Sequence, residues 1–194
     1  MDTALIWAAA YLLGSIPCGV LVARSRNVNI RGHGSGNIGA TNVARTLGKK
    51  EGALTLLGDC SKGFLAAGIA SRFLESPSEI ALAGFMAFIG HLFPLFLKFK
   101  GGKGVATGLG VFMVLTPLAV LSAAAVFALV LIATGYVALS SMLSALALVL
   151  FCILFKMPLP YIYAAMAVAA LIIQKHRGNI ERLWAGTEPR FLGK

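Results

Sequence analysis

Residues 117–155 read PLAVLSAAAVFALVLIATGYVALSSMLSALALVLFCILF, 39 residues without one Asp, Glu, Lys or Arg. A helix needs about 20 apolar residues to cross roughly 30 Å of hydrocarbon. This stretch holds two such runs, 117–133 and 138–155, parted within the polar segment 134–141, TGYVALSS. Further apolar runs occupy 4–23, 53–73, 79–97, 104–115 and 159–174. In lipid every backbone polar group must be satisfied within the protein, which a helix does locally. Composition points the same way: 58% of the chain is hydrophobic, 12% is charged and the mean hydropathy is +0.86. A soluble domain carries about 25% charged residues. The expectation is an all-α integral membrane protein of one domain, residues 1–194, with seven transmembrane helices.

Two runs need support beyond hydropathy. Run 53–73 contains Asp59 and Lys62, and run 104–115 gives only about 18 Å of helix. Basic residues supply the support, since they concentrate in cytoplasmic loops. They cluster as Arg24, Arg26, Arg31, Arg45, Lys49 and Lys50, then as Lys98, Lys100 and Lys103. A third group in the tail comprises Lys175, Arg177, Arg182, Arg190 and Lys194. If all three clusters lie inside, an even number of crossings separates each pair, and both doubtful runs must cross. The N-terminus is then outside and the C-terminus cytoplasmic. The outer loops keep only Arg72 and Lys156 near their ends, and the first also carries the acidic stretch ESPSE at 75–79. Parity also places segment 134–141 inside, so 31–45, 98–104, 134–141 and 175–190 all face the cytoplasm. The opening MDTALIWAAAYLLGSIP has no basic residue before its apolar run. It lacks the first region of a secretory signal and is read as a retained span.

The net charge is +10, from 17 Lys+Arg against 7 Asp+Glu. Basic residues flank apolar runs, and no helix-turn-helix, zinc spacing or aromatic platform is visible. Anionic substrates and a membrane surface therefore fit better than nucleic acid. Cys18, Cys60 and Cys152 lie in or beside apolar runs without a CxxC pair. They read as small packing residues, with neither a disulfide framework nor a metal site.

Three segments carry chemistry. Residues 32–45, GHGSGNIGATNVAR, offer Gly32, Gly34, Gly36 and Gly39 for tight turns that aim N–H groups into a concavity, as phosphate-binding nests do. Ser35, Asn37, Thr41 and Asn42 add side-chain donors, and Arg45 adds a planar charged fork suited to phosphate. The embedded GxGxxG pattern has no preceding strand, so a dinucleotide fold is set aside. Residues 98–107, KFKGGKGVAT, surround Lys103 with Gly101, Gly102 and Gly104 at the start of an apolar helix, where free N–H groups favour an anion. Lys98 and Lys100 read as interfacial anchors. Residues 175–190 contain His176 and Glu181 at the spacing H-x4-E. Positions i and i+5 share a helix face poorly, so His176 reads as a donor to an anion rather than as half of a general-base pair, and Asn179 can act likewise. Asp59 and Lys62 form an intramembrane i,i+3 pair, read as a neutralised structural pair. His33 and His91 read as satisfied polar residues.

Four stretches together carry a resemblance: GSIPCG at 14–19, GSGNIGATNVAR at 34–45, GHLFPLFLKFKGGKGVAT at 90–107 and HRGNIERLWAGTEPR at 176–190. They resemble the acyl-phosphate-dependent glycerol-3-phosphate acyltransferases of bacteria over nearly the whole chain. The resemblance implies seven spans in the bacterial cytoplasmic membrane and an active site facing the cytoplasm. It implies transfer of a fatty acyl group from acyl phosphate to the 1-hydroxyl of glycerol 3-phosphate, giving lysophosphatidic acid and inorganic phosphate in the first acylation of phospholipid synthesis. By motif position, Ser35 and its neighbouring glycines would hold acyl phosphate. Arg45, Lys103, Ser141, His176 and Asn179 would hold glycerol 3-phosphate or nearby phosphate. The donor's own phosphate would take the hydroxyl proton. No cofactor and no metal is expected, and the enzyme that makes acyl phosphate is an expected partner. The chain departs from the pattern at Gly178, where relatives often carry Glu, and at Cys18. Two other readings are a transporter of small organic phosphates, which would need a path to the outer face, and a module whose basic tail recruits other enzymes.

Overall fold

The computed structural model describes residues 2–191, so Lys194 of the basic tail lies outside the described residues. The regular structure among them is helical. The helices are α1 (Thr3–Gly14), α2 (Cys18–Arg24), α3 (Ala40–Leu47), α4 (Lys49–Phe73), α5 (Pro77–Leu92), α6 (Val105–Leu115), α7 (Pro117–Thr134), α8 (Val137–Leu154), α9 (Leu159–Lys175) and α10 (Arg177–Trp184). Five stretches are long and apolar enough to cross a membrane: Thr3–Arg24, Lys49–Phe73, Pro77–Leu97, Pro117–Thr134 and Val137–Leu154. Val105–Leu115 and Leu159–Lys175 are shorter apolar helices.

Local chemistry sets the boundaries. The Asp2 carboxylate accepts from the Ala4 amide and caps α1. Proline opens α5 and α7, where its missing N–H costs nothing. Gly135, at φ 76°, ends α7 in the left-handed conformation. Two boundaries differ from the sequence expectation. Run 4–23 breaks at Ser15–Pro17, because Pro17 has no amide to donate and restricts Ile16 before it. Segment 134–141 is not an extended loop, since α8 begins at Val137 and includes Ser141. The hydroxyls of Ser140 and Ser141 donate to the carbonyls one turn back, Tyr136 and Val137, each at 2.8 Å, so neither serine has to leave the helix to be satisfied.

The chain divides into two compact units between Val114 and Leu115. In the first, α1 and α4 pack on α5, and α2 and α3 pack on α4. Lipid supplies no hydrophobic drive between helices, so close approach of small residues takes its place. A Cβ on Gly90 would overlap the Tyr11 carbonyl of α1, and one on Gly14 would overlap the Ala87 backbone of α5. In the second unit, α8 packs on both α7 and α9, and buried Ala119, Ala123, Ala145, Ala165 and Ala169 line these helices.

Gly90→Ala should therefore lower the melting temperature in detergent by an amount equivalent to about 1–3 kcal/mol, because a backbone carbonyl cannot yield as a flexible side chain can. Gly68→Ala meets no atom within 4 Å and should leave it unchanged or raised. Equal melting temperatures for the two variants would rule out the close-packing account.

Candidate functional site

The glycine-rich segment is pinned at its ends and at its centre. At its ends, Arg26 after α2 pairs with Glu51 on α4 at 2.8 Å. Beneath it, Ile30, Ile38 and Val43 join Ala23 in a buried apolar cluster, with Leu47 and Leu97 against it. At the centre stands Asn42 on α3, 2% exposed. Its Oδ1 accepts from the Ser35 amide at 2.9 Å. Its Nδ2 faces the carbonyls of Asn37 at 2.8 Å, His33 at 3.1 Å and Ile30 at 3.4 Å. One side-chain amide thus holds both limbs of the loop. Gly34 and Gly36 take positive φ, 57° and 69°, and a Cβ on Gly34 would collide with Asn42 Oδ1.

The loop engages several of its own donors. The Gly36 amide donates to the His33 carbonyl at 3.0 Å, and the Gly39 amide to Asn37 Oδ1 at 3.1 Å. The Gly36 and Gly39 amides, expected to face a ligand, and the Ser35 amide on Asn42 thus hold the loop's own shape. Asn37 and Asn42 work inside the loop in the same way. Ser35 and Arg45 are exposed, the latter on the last turn of α3, and Thr41 is half-buried on its first turn.

The second segment is tied to the end of α5. The Gly101 amide donates to the Leu92 carbonyl and the Gly102 amide to the His91 carbonyl, both at 3.2 Å. Gly104, at φ 84°, fits against Phe88 and Leu92 where a Cβ could not. Lys103 is held half-buried between these glycines, two residues before α6. The Arg31 guanidinium donates to the Lys100 carbonyl, so the structure joins segment 30–45 to segment 98–104 within the first unit.

In the second unit, His176 links α9 to α10 and is 3% exposed. Its Nδ1 lies 2.8 Å from the Ile172 carbonyl, which can only accept, so Nδ1 carries a proton. Glu181 is exposed on α10. The carboxylate that matters here is Glu188, which the sequence reading missed. Glu188 Oε1 accepts from Asn179 Nδ2 at 2.6 Å and Oε2 from Arg182 Nε at 2.7 Å. Gly186, at φ 68°, turns the chain back after α10 to bring Glu188 there. A glycine turn followed by a single carboxylate was the available signal. Arg190 lies over the Tyr136 ring at 5.3 Å, and the Phe191 amide donates to the Gly135 carbonyl at 2.7 Å. The end of the described chain is therefore packed on the α7–α8 turn, which suits a structural tail better than a docking one. Ser141 is buried on α8.

Comparison with known proteins decides the family. The family model described as Glycerol-3-phosphate acyltransferase matches residues 4–186. This chain belongs to the glycerol-3-phosphate acyltransferase family. Glycerol-3-phosphate acyltransferase of Trichlorobacter lovleyi is 49% identical over 193 residues, 98% of this chain and 99% of the relative. That of Geotalea daltonii is 51% identical over 183 residues, 94% of each chain. The crystal structure of PlsY (YgiH), an integral membrane glycerol 3-phosphate acyltransferase in its glycerol 3-phosphate form, matches with TM-score 0.95 and 40% identity over 99% of this chain and 96% of that one. Its lysophosphatidic acid form matches with TM-score 0.92, 39% identity and 98% and 95% coverage. This glycerol-3-phosphate acyltransferase is thus an integral, multi-pass membrane enzyme, and its two loop segments and its His176–Asn179 region all fall within the family match.

Removing the side-chain amide of Asn42 leaves several loop groups unpaired, at about 1–3 kcal/mol for each buried one. Trypsin should then cleave Asn42→Ala after Arg31 at least about tenfold faster than the unchanged protein in the same detergent. An unchanged cleavage rate would mean that something other than Asn42 orders the loop.

Proposed function

We propose that this acyltransferase takes its acyl group from acyl phosphate and delivers it to the 1-hydroxyl of glycerol 3-phosphate, releasing lysophosphatidic acid and inorganic phosphate. The observation that carries the acceptor and product is the likeness over nearly the full chain to a solved structure with a glycerol 3-phosphate form and a lysophosphatidic acid form. Support for the donor comes from the first unit, which joins two glycine-rich segments bearing Arg45 and Lys103. Cations held on loops beside lipid suit an amphiphile whose tail is apolar and whose head is a phosphate.

In this reading Ser35, Asn37 and Thr41 bind acyl phosphate, on a loop shaped by Gly34, Gly36, Gly39 and Asn42. Arg45 and Lys103, with Gly101, Gly102 and Gly104 framing the lysine, bind the phosphate of glycerol 3-phosphate. By motif position, Ser141, His176 and Asn179 are assigned to phosphate binding as well. His176 reaches an anion through Nε2, and it donates there only as the imidazolium, because Nδ1 is committed to Ile172. The acceptor hydroxyl attacks the acyl carbonyl carbon and the new ester C–O bond forms. The bond from that carbon to the phosphate oxygen breaks, and the departing phosphate takes the hydroxyl proton. The donor is already activated, so positioning and charge stabilisation can lower the barrier without a covalent enzyme intermediate. Two approaching phosphates repel, and the cations offset this most where water is scarce.

The same reading assigns seven crossings to one functional domain, with the N-terminus outside and the C-terminus inside. The polar segments then face the cytoplasm at the bacterial inner membrane, where the enzyme that makes acyl phosphate is a natural partner.

Purified protein given acyl phosphate and glycerol 3-phosphate should form lysophosphatidic acid with no coenzyme A present. Arg45→Ala and Lys103→Ala should each lower turnover by about 10²-fold or more while keeping the melting temperature. Product formed from acyl-CoA but not from acyl phosphate would refute the donor, and full activity in folded Lys103→Ala would refute that residue's role.

A further inference from the structure

The first unit buries a charged cluster that the roles above leave unused. Asp59 and Lys62 lie one turn apart on α4 and face His91 on α5, and the three are 2%, 4% and 4% exposed. Lys62 Nζ is 2.9 Å from Asp59 Oδ1 and 2.8 Å from His91 Nδ1, and it donates to the Ile16 carbonyl at 2.9 Å. His91 Nδ1 is 3.5 Å from Asp59 Oδ1. An ammonium has donors and no acceptor; its contacts to His91 and to the Ile16 carbonyl have hydrogen-bond geometry, whereas Asp59 Oδ1 holds it as a close ion pair. The contact to His91 makes Nδ1 an acceptor, which leaves the ring proton on Nε2. That edge of the ring lies against Gly102, where a Cβ would overlap Nε2. The carbonyl of the same histidine accepts from the Gly102 amide, one residue before Lys103.

Stability alone is a weak reason for such a cluster. Apolar residues of similar volume often replace a buried ion pair without loss, and ionisable groups within a membrane usually mark function. What the cluster produces geometrically is an imidazole of fixed tautomer set against the turn that carries Lys103.

We propose that Asp59, Lys62 and His91 are positioning residues for that turn. Asp59 neutralises and orients Lys62, Lys62 fixes His91 as the Nε2–H tautomer, and His91 holds Gly101–Lys103 in the geometry that presents the Lys103 ammonium to the phosphate of glycerol 3-phosphate. This rests on Lys103 being a phosphate-binding residue.

Two measurements test it. Nitrogen-15 NMR of histidine-labelled protein in micelles, with His91 assigned by the signal lost in His91→Gln, should show the Nε2–H tautomer. An Nδ1–H or doubly protonated ring overturns the proposal whatever the enzyme's substrates are. Steady-state kinetics then compares two substitutions. The amide of His91→Gln stands near the place of Nε2, whereas that of His91→Asn stands near Nδ1 and leaves the Gly102 side empty. His91→Asn should raise KM for glycerol 3-phosphate about tenfold and His91→Gln less than about twofold, with KM for acyl phosphate nearly unchanged in both. Equal effects in the two variants, or losses that follow the melting temperature, would assign a structural role only and overturn the proposal. Should His91→Asn fail to fold, the tautomer decides. If the unchanged protein makes no lysophosphatidic acid from acyl phosphate, the donor assignment fails, while the tautomer result still stands for or against the cluster.

Discussion

Backbone that leaves a helix at the edge of a bilayer must find its hydrogen bonds inside the protein or in the water layer, and the segments that carry chemistry here obey that constraint in three different ways. The glycine-rich loop closes on the side-chain amide of Asn42, which meets one backbone N–H and three carbonyls. The Lys103 turn uses the carbonyls left over at the end of α5, those of His91 and Leu92. The segment after α10 turns back so that Glu188 can take Asn179 and Arg182. In each case the partner is a buried polar group with few alternatives, so the geometry is held from within the chain.

This arrangement suits a reaction in which two anions must come together. Repulsion between phosphates is weak in bulk water and strong where water is excluded. Cations are therefore most useful at the interface, held by a frame that does not reorganise when charge develops. Arg45 stands on the end of α3 above an apolar cluster, and Lys103 stands between glycines braced on α5. Packing lies beneath both, and Arg31 links their two segments through the Lys100 carbonyl.

Much of this was legible in the sequence, and what was not has a physical reason. Apolar runs near the length of the hydrocarbon core announced the helices, and glycines beside Ser35, Arg45 and Lys103 announced the loops. Asp59 and Lys62 were legible as a pair, because i,i+3 spacing puts both on one face, and the structure has them 2.9 Å apart. His91 as their third partner was not legible, since it comes from another helix 29 residues away. Asn42 looked like any loop donor, because sequence shows the capacity to hydrogen-bond but not its direction. Segment 134–141 looked like a loop because its serines are polar, yet a serine in a helix can satisfy itself on the preceding turn. Glu181 drew attention through its spacing from His176, whereas Glu188 serves Asn179 because the chain reverses at Gly186.

The one requirement behind every assigned role is that the polar segments of both units meet water on the same side of the bilayer. Single cysteines at Ser35 and at Glu181, both exposed positions, can be placed in a chain whose Cys18, Cys60 and Cys152 are replaced by alanine. In sealed vesicles of known orientation, both should react with a membrane-impermeant maleimide from the cytoplasmic side and from that side only. Reaction of the two from opposite sides would contradict a shared aqueous face, and with it the assignment of Arg45, Lys103, His176 and Asn179 to one reaction.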